Sequence, residues 1–140
     1  MELFRSFNIS ASALAAEKLR VDTVAGNLAN MQTTRSADGG PYSRKTVVFS
    51  ERLAQARDMP PALRGEGVQV AAVAEDPNPP RMEYDPEHPD ADEDGNVAYP
   101  NIDMAKEMTD MVTASRSYEA STTAINTAKS LYLKALEIGR

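Results

Sequence analysis

Three aspartates alternate in the stretch DPEHPDADEDGNVAYPNID: Asp90, Asp92 and Asp94, followed by Gly95. Carboxylates at positions 1, 3 and 5 with glycine at 6 are the opening of an EF-hand calcium loop, and Val97 falls at the apolar position 8. The second half departs from that pattern. Position 12, where calcium needs a bidentate carboxylate, is Asn101, and position 11 is Pro100. The preceding residues, YDPEHP, cannot form the entering helix, because proline removes a backbone donor and clashes with the preceding turn. The expectation is a solvated acidic turn.

Other chemistry is equally poorly supplied. His88 is the single histidine, flanked by Glu87 and Pro89, and is expected to be an exposed loop residue. A catalytic triad or a histidine zinc site needs more partners than this. There is no cysteine, which removes disulfides, thiolate metal sites and a thiol nucleophile together. The glycine pairs in GEG and DGG lack the spacing and the lysine of a phosphate-binding loop. No two carboxylates are placed in a shared apolar pocket for acid–base work. The reading is a non-enzyme without cofactor or metal.

Charge narrows the partners. The net charge is −6 and the isoelectric point is about 4.8, with no cluster of lysine and arginine. A nucleic-acid partner calls for a basic face, and so does an anionic membrane surface. No apolar run is long enough to span a bilayer. The start, MELFRSFNISASALAAEKLR, has no basic segment followed by an unbroken apolar one, so no cleavable signal peptide is expected.

The elements that must position any functional surface are two helices around a proline-rich middle. Residues 3–30 contain no proline, and Phe7, Leu14, Val21 and Leu28 recur every seven residues. Residues 102–138 also contain no proline. Met104, Met111, Tyr118, Ile125 and Tyr132 form one seven-residue series; Met108, Ser115, Thr122, Lys129 and Leu136 form another. Asn101 is the expected N-cap of this second helix, and Gly139 is its natural stop. Such repeats predict coiled-coil-like packing between the chain's two ends. Phe7, Leu14, Val21 and Leu28 are expected to meet Met104, Met111, Tyr118 and Ile125, with Met108 on the same stripe.

Residues 31–101 hold all nine prolines. Strands are expected at 42–51, 67–76, 81–85 and 96–100, with 53–67 containing a loop. The predicted fold class is α+β: long terminal helices in a coiled-coil-like layer, with a small inserted β module and extended connections. The expected division is 1–30, 31–101 and 102–140. Only 6% of the residues are aromatic, so the chain's own core is thin.

Four blocks resemble a known family. VAGNLANMQTTR (24–35), with Asn27, Leu28, Ala29 and Asn30, is similar to the segment closing the N-terminal helix of bacterial flagellar rod and hook proteins. EMTDMVTASRSYEASTTAINTAKSLYLKALEIG (107–139) resembles their C-terminal helix, centred on Ser115, Arg116, Ser117, Tyr118, Glu119 and Ala120. GGPYSRKTVVF (39–49) and HPDADEDGNVAYPNID (88–103) look like the short proximal-rod branch. Ser121 and Asn96 depart from the family's commoner asparagine and aromatic residues.

The resemblance implies a structural subunit of the basal-body rod that polymerises helically into a drive shaft and export channel in the periplasm. It implies other rod proteins and the rod base as partners, and export through the flagellar type III apparatus without a cleaved signal. A coiled-coil adaptor with no flagellar role is the alternative. On the residues alone, Asn27 and Asn30 are expected to bond nearby backbone as the helix ends. Arg116 is expected to pair with Glu119 or to reach a neighbouring subunit.

Overall fold

The computed structural model describes residues 2–37, 39–53 and 65–138. Two helices dominate: α1, Glu2–Ala29, and α2, Met104–Ile138. Their 28 and 35 residues correspond to lengths of about 42 and 52 Å. They pack side by side and antiparallel. Phe4 meets Tyr132 edge to face at 6.2 Å, Val21 shares a groove with Ser115 and Tyr118, and Asn27 reaches Glu107. The two terminal helices thus pack against each other, and the fold is α+β.

Between them lie two separate antiparallel ribbons. Strand β1, Lys45–Leu53, pairs with β2, Gly65–Glu75, from Lys45↔Glu75 to Leu53↔Gly65, with register shifts after Val48 and Glu51. Strand β3, Arg81–Tyr84, pairs with β4, Asn96–Tyr99. Residues 54–64, most of the expected 53–67 loop, lie outside the described residues.

The first ribbon lies against α1. Arg5 Nε and Nη2 donate to Gly65 O at 3.3 and 2.9 Å. Ser12 Oγ accepts the Val68 N–H at 3.1 Å. Gly67 has φ of 114°, and a β-carbon there would sit 2.1 Å from Ser12 Oγ. Only glycine allows strand and helix to approach this closely.

Among the described residues the buried apolar core is thin: Ala16 and Val24 on α1, Ala114 on α2, and Val97 and Ile102 where β4 leads into α2. Two polar residues, Asn27 and Glu107, are fully buried among them at 0% exposure.

The helix ends show how local chemistry sets the boundaries. Asn30 closes α1: its N–H and its Nδ2 both donate to Gly26 O, at 3.1 and 2.9 Å, and its Oδ1 accepts from Thr33 Oγ1 at 3.1 Å. At the start of α2 the expected cap is corrected. Asp103, not Asn101, occupies the N-cap: its Oδ1 accepts the N–H groups of Ala105 and Lys106 at 2.9 and 3.3 Å, and its carbonyl accepts from Glu107 N–H at 3.0 Å. The reason is that Ile102 turns inward and is buried, with its N–H on Pro100 O at 2.9 Å. Helical hydrogen bonding therefore begins two residues later than the sequence suggests. Asp103→Ala is expected to lower stability by about 1 kcal/mol, and Asn101→Ala to leave it nearly unchanged. Urea unfolding of the two variants distinguishes the assignments.

Candidate functional site

The most tightly built point of the molecule is the junction where α1, β1 and α2 meet. Asn27, near the end of α1, uses both ends of its side-chain amide. Its Nδ2 donates to Lys45 O at 2.8 Å and to Glu107 Oε2 at 3.0 Å. Its Oδ1 accepts from Lys45 N–H at 2.9 Å and from the Tyr42 hydroxyl at 3.1 Å. Both donors and both acceptor sites of the amide are thereby used. Both backbone groups of Lys45, the first residue of β1, are satisfied by a helix side chain.

Glu107 brings in α2. Its Oε1 accepts from Arg44 Nε at 2.6 Å, a short charge-assisted bond. Arg44 also donates to Thr46 Oγ1 at 2.9 Å, and its guanidinium lies 3.7 Å from both Asp76 and Asp110. Asp110 is in turn 3.8 Å from Arg20 on α1. Burying the Glu107 carboxylate is acceptable only because arginine and amide cover both of its oxygens; a buried charge left unpaired is costly. Burial and the neighbouring carboxylates Glu107 and Glu75 push the Tyr42 phenol pKa above its ordinary value, which keeps it a hydrogen-bond donor to Asn27.

The junction joins VAGNLAN, GGPYSRKTVVF and the start of the C-terminal block. The expected role of Asn27 is corrected here: it bonds Lys45, 18 positions away, and Glu107, 80 positions away, while Asn30 alone closes the helix locally. Neither the role of Arg44 nor the burial of Glu107 is anticipated by sequence reasoning. A usable signal existed, because Glu107 stands at the heptad position of Ala114, Ser121 and Ala128, the face that α2 turns toward α1.

The other singled-out residues distribute as follows. Leu14, Val21, Leu28, Met111 and Ile125 are half-buried, as are Ser115 and Ser117. Phe7, Met104, Met108 and Tyr118 are exposed, as are Ala29, Arg116, Glu119 and Ala120. The described seam thus runs through Ala16, Val24, Ala114 and the Asn27–Glu107 pair, with much of the methionine and tyrosine stripe beside it. Arg116 makes no ion pair among the described residues.

The acidic stretch is the connection between β3 and β4. Asp92 Oδ1 accepts the N–H groups of Asp94 and Asn96 at 3.0 and 2.8 Å. Asp90 points the other way, accepting from Thr34 Oγ1 at 2.8 Å and pairing with Arg35 just past α1. The carboxylates therefore diverge, and no group of three or more metal-type ligands converges among the described residues. Gly95, with φ of 79°, packs under Tyr84 and Pro86, where a β-carbon would come within 3.0 Å of the ring. His88 is also corrected: it is half-buried, edge-on to Tyr99 at 6.2 Å, and its Nδ1 accepts the Asp90 N–H at 3.1 Å. Proline-punctuated sequence suggests exposure, but the loop folds back onto β4.

Comparison with known proteins accounts for this arrangement. Residues 7–35 match the family described as "Flagella basal body rod protein", and residues 93–138 match "Flagellar basal body rod FlgEFG protein C-terminal". Relatives named "Flagellar basal-body rod protein FlgC" cover the full length. That of Bacillus subtilis is 42% identical over 100% of both chains. That of Borreliella burgdorferi is 40% identical over 99% of this chain and 98% of its own, and that of Salmonella typhimurium is 41% identical over 100% of both. The chain belongs to the FlgC family of flagellar basal-body rod proteins. It is a structural rod subunit. The adaptor alternative offers no account of similarity along the whole length.

The junction generates a direct expectation. Glu107→Ala leaves Arg44 without its short partner and Asn27 Nδ2 with one bond fewer, in a buried setting. Stability should fall by roughly 3–5 kcal/mol, read as a lower urea midpoint with the slope unchanged. A loss below about 1 kcal/mol, the range of a solvated pair, would contradict the structural weight placed on this bond.

Proposed function

We propose that the chain is a subunit of the proximal segment of the flagellar rod, polymerising helically in the periplasm into a drive shaft that also serves as an export channel. Its partners are other rod proteins and the rod base. It travels through the flagellar type III apparatus without a cleaved signal, and it carries out no catalysis and needs no cofactor. The terminal segments 1–30 and 102–140 act as one helical domain, and 31–101 as the insert that braces it.

One observation carries the reading. Met104, Met108, Val112, Tyr118, Leu131, Leu133 and Leu136 of α2 are all exposed, as are Phe4 and Phe7 at the far end of α1. From Leu131 onward, apolar side chains take up most of the helix circumference, with Lys134 and Glu137 on the remaining side, a far wider apolar face than one neighbouring helix can cover. Exposed apolar side chains gathered along one helix are a mark of an interaction surface. Neighbouring subunits supply the missing cover, with Phe7, Met104, Met108 and Tyr118 as contacts between subunits. Leu14, Val21, Leu28, Met111 and Ile125 shape the helix pair from within. Among the described residues no helix is long and apolar enough to cross a membrane, which suits a subunit that is passed through an export channel.

Tyr118→Asp tests this directly, since an exposed tyrosine can be replaced without opening the core. The variant should keep the helical circular dichroism of the parent and should still be exported, while rod assembly and swimming are lost. Leu28→Asp should also abolish assembly. Normal swimming by the Tyr118 variant would refute the contact role.

A further inference from the structure

We infer that the Asn27–Arg44–Glu107 cluster is a register key: it selects one antiparallel alignment of α1 against α2 that the rest of the seam cannot select. The face that α2 presents repeats every seven residues as Glu107, Ala114, Ser121 and Ala128, buried at the first two and half-buried at the others. The facing part of α1 also carries small residues, with Ala16 buried and Ala13 half-buried. Sliding one helix by a heptad therefore places small residues on small residues, and shape alone discriminates weakly between alignments. The polar cluster discriminates strongly. One slip sets Asn27 beside Ala114 and carries Glu107 past the end of α1. The opposite slip sets Glu107 beside Arg20 but strips Arg44 of its short bond and leaves the Lys45 backbone groups without Asn27. A single polar residue at a buried heptad position fixes register in this way, at a cost in stability. Here the key also carries β1, because Asn27 holds both backbone groups of Lys45 and Arg44 directly precedes it. Helix alignment and ribbon position are set by one cluster.

The chain has no cysteine, so introduced pairs report alignment cleanly. Lys18 and Glu119 line one groove of about 290 Å³ between the helices. Lys18→Cys with Glu119→Cys reads the observed register; Lys18→Cys with Val112→Cys or with Asn126→Cys reads a slip of one heptad either way. In the full-length chain with the cluster intact, the first pair should form a disulfide roughly tenfold more than either other pair. In the background Asn27→Leu, Arg44→Met, Glu107→Leu, the helical circular dichroism should persist, since well-packed apolar groups can replace a buried ion pair. The slipped pairs should then form to a similar extent as the first. A folded apolar variant that still cross-links only at 18 and 119 would overturn the inference. Should that variant fail to fold, Asn27→Ala with Glu107→Gln, which removes the amide that holds Lys45 and the carboxylate that holds Arg44, decides by the same criterion. Swimming assays are not needed for this readout, so it stands or falls separately from the role in the rod.

Discussion

A buried carboxylate with no water to solvate it must find fixed partners, and in this chain that requirement organises the fold. Glu107 can be buried only where Arg44 and Asn27 both reach it. Arg44 directly precedes β1, and Asn27 stands near the end of α1. Satisfying one side chain therefore requires three segments, separated by up to 80 positions, to arrive together. The apolar contribution is modest by comparison. The buried apolar set includes two alanines, two valines and one isoleucine, which can hold helices together but specifies little about how. In helical assemblies a polar contact of this kind supplies specificity more readily than net stability.

The remaining architecture follows from where that junction sits. It holds one end of the β1–β2 ribbon against α1, and the Arg5–Gly65 and Ser12–Val68 bonds hold the other. The ribbon is thus fastened along the helix at two places. The β3–β4 loop is fastened separately, through Asp90 to Thr34 and Arg35. These contacts stiffen the middle of the molecule and leave the outer face of α2 and the far end of the helix pair uncovered. A subunit braced at its centre and apolar along its flank is suited to a helical polymer, where neighbours complete what the single chain leaves open.

Much of this was legible in the residues. Proline-free ends with seven-residue repeats gave both helices, and β-branched runs between prolines gave the four strands. The calcium-like acidic run was weakened as a site by Pro100 and Asn101 alone. What could not be read was long-range. Nothing local to Asn27 says that its amide turns to Lys45 rather than to its own helix end, since Asn30, three positions on, has the same chemistry and does stay local. Nothing local to Glu107 announces its burial, which depends on Arg44 arriving from another segment. The N-cap moved from Asn101 to Asp103 because Ile102 had to reach the core, a tertiary demand that capping preferences do not contain. The large apolar residues of the heptads drew attention away from the small ones at which the helices meet.

The account rests on a contrast between a self-sufficient junction and flanks that await neighbours. Hydrogen exchange on the full-length chain, free and in assembled rods, measures that contrast residue by residue. In the free chain, slow exchange should concentrate around residues 24–30, 45–48 and 105–114, with fast exchange at 125–138; in the rod, both helices should exchange slowly along their length. Uniformly strong protection of α1 and α2 in the free chain, unchanged on assembly, would contradict it.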